Sequence, residues 1–232
     1  MQMTEKSSIA ERVYADLLRS IVSGTLPSGT KVHLDALAYE LDVSRTPLRE
    51  AFLWLKQINL AQVTPYRSTL IAAWGPSDMA ERAHTVGWIA GHAALSEGRG
   101  PQCGALRAPS PEPTDGTEDD IDDFALLCDA LIRAHLPQTG SSIIRVHAEP
   151  LFAYLRSPGP DRHGIDLAAT SAERRIALER IRGDSAAGDF TSAAASITAY
   201  TDILAHTLAP AGAMPDARVR TRYSAGASPA GR

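Results

Sequence analysis

The strongest constraint on the fold is a pair of amphipathic helices near the N-terminus that only three residues separate. Apolar side chains recur at helical spacing in residues 34–41 and again in residues 48–55, and Thr46 and Pro47 lie in the first turn of the second helix, so that residues 42–44 separate the two. Between these segments, Asp42 tolerates the left-handed backbone of a tight turn, and Ser44 is a favourable N-cap for the second helix. Two helices joined in this way have the spacing of a helix-turn-helix.

The segments on either side complete a winged helix. Residues 9–22 carry apolar side chains at intervals of three and four, which predicts a helix that Ser7 or Ser8 caps and that Gly24 and Pro27 end. Residues 60–63 and 69–73 alternate like a two-stranded ribbon, with a turn at residues 64–68. Three helices followed by a hairpin predict a DNA-binding module over residues 1–75.

The remainder of the chain has helical patterns only. The segments 77–96, 121–135, 141–155, 168–182 and 190–208 are predicted helices. Residues 97–120 are rich in Gly and Pro and predict a mobile loop, and residues 209–232 predict a disordered tail. We therefore expect a mainly α protein, in which a winged helix-turn-helix precedes an all-α effector-binding and dimerisation domain at residues 76–208.

Charge and position select the DNA-contacting residues. Residues 1–75 have a net charge of +1 and residues 76–232 a net charge of −5, so the first domain is the better partner for phosphate. Arg45 and Arg49 lie one turn apart at the start of the proposed recognition helix and are candidates for base readout. Ser44 and Thr46 are candidate phosphate contacts. Arg67, at the wing tip, is expected to reach the minor groove or the backbone. The alternative is that these arginines are ordinary solvated side chains.

An acidic cluster follows the predicted loop. Because it lacks the DxDxDG arrangement of a calcium loop, we expect a solvated helix start instead. The cluster consists of Glu118, Asp119, Asp120, Asp122 and Asp123.

The N-terminal motif resembles a known family. Val43-Ser44-Arg45-Thr46-Pro47-Leu48-Arg49-Glu50-Ala51 is similar to the core signature of the GntR-family regulators, and the likeness extends over about 65 residues. The family usually has Gly where Ser68 follows Arg67. The resemblance implies a homodimeric regulator that binds double-stranded operator DNA, most often as a repressor.

The C-terminal half resembles the FadR-type ligand-binding domain of that family, the FCD domain, which commonly holds a metal through one Asp and three His. In our alignment Asp129 keeps the acidic position, whereas Arg133, Arg174 and Tyr200 replace the histidines. Because Arg stays protonated in proteins, it cannot ligate a metal. We therefore expect that the metal site is lost and that no cofactor is bound.

Two interpretations of these four residues remain open. The arginines can be structural, with Arg133 paired to Asp129 and Arg174 paired to Glu173 or another neighbour. Alternatively, their guanidinium groups neutralise a small anionic effector, such as a carboxylate, in place of the metal. The first interpretation leaves an effector-insensitive dimer. A third possibility is a small-molecule-binding protein whose winged helix makes protein contacts.

Other protein classes find little support. No apolar run is long enough for a membrane span or a signal peptide, and Cys103 and Cys128 form no CxxC pair, so we expect a cytoplasmic protein with free thiols. The segments Gly98–Gly104 and Gly183–Gly188 depart from the GxGxxG and GxSxG patterns. The sequence therefore indicates no enzyme.

Overall fold

The computed structural model describes residues 8–64, 68–96 and 119–209, and it begins with a winged helix. Its elements are α1 (Ile9–Val22), β1 (Lys31–Val32), α2 (Leu34–Glu40), α3 (Arg45–Gln57), β2 (Ala61–Thr64) and β3 (Ser68–Ile71). The three helices and the hairpin that the sequence predicts are confirmed.

Local signals at the helix ends explain the boundaries of α1. The Ser8 hydroxyl accepts a hydrogen bond from the Glu11 amide, and the Glu11 carboxylate accepts one from the Ser8 amide, so both form a capping box. Gly24, just after the helix, has a φ of 77°, which a residue without Cβ adopts easily. The predicted cap at Ser8 and end at Gly24 are confirmed.

The turn of the helix-turn-helix has the predicted left-handed residue. Asp42 has a φ of 50°, and α3 begins three residues later. The prediction for Ser44 is only half right: Ser44 occupies the N-cap position of α3, but its side chain makes no capping hydrogen bond.

The sheet contains a strand that the sequence did not predict. The strand order is β1-β3-β2, and both pairings are antiparallel. In β1, Lys31 pairs with Leu70 and Val32 pairs with Thr69. A strand of two residues shows no alternation of its own, and its backbone conformation depends on β3. This strand places Lys31 beside the hairpin.

All secondary structure in the described residues of the second part of the chain is helical, as predicted. Its helices are α4 (Pro76–Leu95), α5 (Asp119–His135), α6 (Gly140–Ile143), α7 (Glu149–Leu155), α8 (Gly159–Arg162), α9 (Ser171–Ala187) and α10 (Phe190–Leu208). A π-helical segment (Ile144–Ala148) joins α6 to α7, so the helix predicted at residues 141–155 is interrupted. A 3-10 turn (Ala168–Thr170) precedes α9.

The main packing in this helical part is between α4 and α10. Gly87 of α4 lies so close to α10 that a Cβ atom there would approach the Thr201 Oγ1 to 2.0 Å. Buried side chains form one continuous core that runs from α1 and α3 through α4 to α10. No helix among residues 8–64, 68–96 and 119–209 is long and apolar enough to cross a membrane. Nearly all of the predicted loop at 97–120 and of the tail at 209–232 lies outside the described residues.

Candidate nucleic-acid interface

The recognition helix α3 has one buried face and one exposed face. Leu48, Ala51, Phe52 and Leu55 are at most 1% exposed and pack into the core. Burial of this face contributes stability and fixes the rotation of the helix. The opposite face is therefore held toward solvent.

The sequence-predicted contact residues of α3 lie on that exposed face. Ser44, Arg45, Thr46 and Arg49 are all exposed. Since the Ser44 hydroxyl makes no capping bond, it does not compete with a phosphate for the first amide groups of the helix. Arg67 lies outside the described residues, so its assignment stays a prediction.

A partner of Arg45 was missed by the sequence analysis. The Arg45 Nε atom lies 2.6 Å from Asp35 Oδ1, and both side chains are more than half exposed. Asp35 is in the first turn of α2, where its carboxylate interacts favourably with the positive end of the helix dipole. An exposed pair of this kind is weak and salt-sensitive. Asp35 thus holds Arg45 in place but leaves it displaceable by a phosphate.

The exposed face of α3 borders an open groove of about 1020 Å³. Lys31 and His33 line one side, and Thr64 and Thr69 of the hairpin line another. Lys31, which was not among the predicted contact residues, adds a further cation to the lining of this groove, where its pairing with Leu70 of β3 holds the backbone. The groove therefore combines three cations with one carboxylate, on surfaces that come from both the helix-turn-helix and the wing.

The tentative effector residues fall into two separate groups. Arg174 is fully buried and donates two hydrogen bonds to the Asp120 carboxylate, at 2.7 and 3.1 Å, and Tyr200 donates a third at 2.8 Å. Arg174 also donates to the Leu167 carbonyl and the Thr170 hydroxyl. Four of its five N–H donors are thus used within the chain.

Asp120 overturns the expectation of a wholly solvated acidic cluster, because it is only 3% exposed. It also overturns the pairing of Arg174 with Glu173, since the partner is 54 residues away. Although burial alone lowers the pKa of Arg174, the hydrogen bonds that its guanidinium donates to the Asp120 carboxylate raise it overall. Burial and the Asp120 charge raise the pKa of Tyr200. The cluster therefore joins a protonated arginine and a protonated tyrosine to one carboxylate.

The other two residues are on the surface of the helical part. Arg133 Nε lies 2.9 Å from both Asp129 oxygens, one helical turn away, and Arg133 also contacts Ser141 at 3.3 Å. Asp120 and Asp129 are nine residues apart in α5, or about 13 Å along the helix axis. The structure therefore does not bring Asp129 and Arg133 into one site with Arg174 and Tyr200.

The residues at these positions do not fit a metal. Two of the four are arginines, and Arg174 fills the protein interior with its own guanidinium. Within the described part of the chain, no group of three or more His, Cys, Asp or Glu side chains could hold an ion.

Comparison with known proteins agrees with the N-terminal fold. Residues 9–71 match the family model of the bacterial regulatory proteins, gntR family. E. coli McbR/YncC has a TM-score of 0.57 and 18% identity, covering 87% of this chain and 97% of that one. Lar, described as controlling the expression of the Listeria monocytogenes agr system and mediating virulence, has a TM-score of 0.52 and 16% identity, covering 88% and 98%. Among curated proteins, none matches this chain.

At these identities, the two solved structures show a shared fold over 87–88% of this chain and nothing finer. The FadR-type assignment of the helical half stays a prediction. The family match covers the same residues that form the helix-turn-helix, the exposed face of α3 and the wing. The N-terminal domain of this chain, residues 9–71, therefore belongs to the GntR family of bacterial regulatory proteins.

Proposed function

We propose that this chain is a homodimeric, sequence-specific transcription regulator that represses by occupying operator DNA and responds to a small effector. The single observation that carries the proposal is the exposed face of α3, which presents Arg45, Thr46 and Arg49 while its other face is buried. An arginine fork can donate to guanine O6 and N7 together. Because its target is the bacterial chromosome, the protein acts in the cytoplasm.

The domain assignments follow from the same proposal. Residues 1–75 bind DNA, with Ser44 and Thr46 on phosphates and Arg67 at the wing. Residues 76–208 serve effector binding and dimerisation. Trp88 and Leu95 lie seven residues apart on α4 and are 68% and 41% exposed, which gives a second copy an apolar stripe to cover.

Binding to the protein's own upstream DNA tests this proposal. Fluorescence anisotropy would compare that DNA with a scrambled sequence over a salt series. We expect the wild type to prefer its own DNA and Arg49→Ala to lose about 1–3 kcal/mol of that preference. Arg175→Ala changes an exposed arginine on α9 and is the matched control.

The outcomes separate base readout from general attraction. If Arg45→Ala and Arg49→Ala both weaken binding equally on the two DNAs, these residues contact phosphates only. Absence of any DNA binding at low salt contradicts the proposal and favours a winged helix that makes protein contacts.

One observation supports a second candidate, an effector-insensitive DNA-binding dimer. The buried Arg174–Asp120 pair consumes the guanidinium that would have received an anion in the helical domain. A thermal-shift screen with small ligands distinguishes the two candidates, because a ligand that binds only the folded protein raises its melting temperature. The insensitive dimer has no such ligand.

A further inference from the structure

A second groove lies between the DNA-binding domain and the helical domain. It measures about 770 Å³, within the range of small-molecule sites. Tyr14 and Leu18 of α1 and Trp54 of α3 form one wall, and Arg145, Glu149 and Ala153 of the π segment and α7 form the other. A ligand bound there would contact both domains at once.

The groove contains a buried hydroxyl without a well-formed hydrogen bond. Tyr14 is 6% exposed, and its ring meets that of Trp54 edge to face, with 5.8 Å between centroids. Among the described residues the hydroxyl has no partner with good hydrogen-bond geometry, although the Glu149 carboxylate lies close enough to interact with it. Burial raises the pKa of Tyr14, and the charge of Glu149 and its interaction with the hydroxyl raise it further, so the group is a proton donor at neutral pH. Buried polar groups are rarely unpaired in folded proteins, which makes this donor a candidate contact for a ligand.

Two opposite charges flank that hydroxyl. The Arg145 guanidinium lies 5.1 Å from the centroid of the Trp54 ring. Within the described part of the chain, neither Arg145 nor Glu149 forms a salt bridge, whereas the groove's other arginines, Arg19 and Arg156, are paired to Asp16 and Asp122. Stacking on the ring leaves the edge N–H donors of Arg145 available to a carboxylate.

From these contacts we propose that the groove binds a small zwitterion of the amino-acid class. Its carboxylate accepts hydrogen bonds from Arg145 and from the Tyr14 hydroxyl, and its ammonium group pairs with Glu149. Leu18 and Ala153 supply an apolar surface for a short side chain. A ligand with only a carboxylate would leave Glu149 without a positive partner, and one with only an ammonium group would leave Arg145 without a negative one. A simple carboxylate therefore binds less tightly than a zwitterion.

This inference rests on the proposed function, because it names the effector site of the regulator. The walls come from two domains, so the ligand binds best in one relative setting of those domains and shifts the population toward it. The shift changes how the two recognition helices of a dimer face DNA, which couples ligand binding to operator affinity.

A thermal-shift and calorimetric screen tests the proposal on the full-length protein. The probes are the L-amino acids, and for each one that binds, its α-amide and its N-acetyl derivative. We expect at least one amino acid to raise the melting temperature. Both of its blocked derivatives should bind at least about tenfold more weakly than the amino acid itself. Arg145→Ala and Glu149→Gln should each weaken binding by a similar factor. Arg175→Ala and Glu179→Gln, matched exposed changes on α9, are expected to bind like the wild type.

Tyr14→Phe provides a readout that a purely structural role would not give. This variant removes only the Tyr14 hydroxyl, which has no hydrogen bond of good geometry in the unliganded protein. The unliganded variant should therefore be as stable as the wild type or more stable, while its ligand affinity falls. The inference is overturned if no L-amino acid binds, or if one binds with unchanged affinity to Arg145→Ala. Operator binding by the wild type is measured without ligand. If the unliganded wild type does not bind operator DNA, the proposed regulator function is contradicted. If it binds operator DNA but no amino acid, only the proposed ligand site is contradicted.

Discussion

The guanidinium of Arg174 is completely buried, so its contacts determine what the helical domain can accommodate. A buried charge is tolerated only when it is paired and hydrogen-bonded, and Asp120 with the Thr170 hydroxyl and the Leu167 carbonyl meets that requirement. Phe124 stacks on Tyr200 with ring centroids 3.8 Å apart and shields the pair from water. At this scale, the residues that look like an anion site in the sequence form an internal structural link between α5, α9 and α10.

Removing one partner of this pair should therefore be costly. We expect Arg174→Ala to lower the free energy of unfolding by about 3–5 kcal/mol, because Asp120 is left as an uncompensated buried charge. The double variant Arg174→Met with Asp120→Leu should lose much less. Urea denaturation followed by circular dichroism measures both, and Arg175→Ala should change stability by less than about 0.5 kcal/mol. Equal losses in the single and double variants would show that the charge pair is not the cause.

The exposed pair of Asp35 and Arg45 gives a prediction about affinity. Asp35→Asn removes the carboxylate that competes with phosphate for Arg45, so affinity for any duplex should rise roughly two- to fivefold. The slope of log affinity against log salt should steepen by up to about 0.9, the value for one added phosphate contact. Anisotropy titrations measure both. Asp129→Asn, which opens an exposed Asp–Arg pair on α5, should leave DNA binding unchanged. Equal or weaker binding by Asp35→Asn would mean that Asp35 orients Arg45 usefully.

At the scale of elements, hydrophobic periodicity and the residues that begin and end helices predicted most of the fold. The boundaries of α1 and the left-handed turn at Asp42 depend on neighbouring residues, so the sequence reveals them. What it missed depends on distant partners. Strand β1 exists because β3 lies beside it, and Asp120 is buried because Arg174 reaches it from a helix 54 positions later. The exposed face of α3 was predictable because it depends on neighbouring residues. The groove at Tyr14 was not, because its two walls come from distant parts of the chain.

The contact of α4 with α10 requires a glycine at one position. Gly87→Ala places a Cβ atom 2.0 Å from the Thr201 Oγ1, so the helices must separate, and we expect a loss of about 1–3 kcal/mol. Gly183→Ala on α9 is the matched control, since nothing lies within 4 Å of its added Cβ, and it should gain about 0.5–1 kcal/mol. Chemical denaturation measures both. A Gly87→Ala protein as stable as Gly183→Ala would contradict this close approach.

At the scale of the whole molecule, the two domains meet in a charged seam. Arg82 of α4 donates hydrogen bonds to the carbonyl of Ile58, after α3, and to that of Val146 in the π segment. His147 lines the small cavity beside it. At the end of α1, Gly159 packs against the Val22 carbonyl. A Cβ atom at residue 159 would lie 2.5 Å from that carbonyl oxygen. The seam thus joins the end of the recognition helix to the segment that carries Arg145.

His147 should make this seam sensitive to acid. Burial, followed by the charge of Arg82, lowers the pKa of His147, so the unfolded chain binds the proton more readily than the folded one. The stability that the neutral ring contributes is fully present above its unfolded pKa of about 6.5, and it is lost as the pH falls below that value. His147→Gln should therefore lose less stability than the wild type between about pH 7 and pH 5. Melting curves across that range test this, with His206→Gln, at the exposed end of α10, as control. Equal slopes in the two variants would contradict it.

Arg82 itself should determine whether the two domains behave as one unit. Arg82→Met keeps the aliphatic stem but removes the charged hydrogen bonds to Ile58 and Val146, which are worth roughly 1.5–3 kcal/mol each. Because the bond to Ile58 joins the helical domain to the winged helix, we expect its loss to free the winged helix more than the core of α4 and α10. Hydrogen–deuterium exchange should show faster exchange in α1 and α3 with little change in α10. Arg133→Met removes hydrogen bonds made only within the helical part, to Asp129 and Ser141, and should leave α1 and α3 protected. Uniformly faster exchange in Arg82→Met would mean that Arg82 stabilises the molecule as a whole. The coupling between the domains would then depend on the groove beside Tyr14 and not on Arg82.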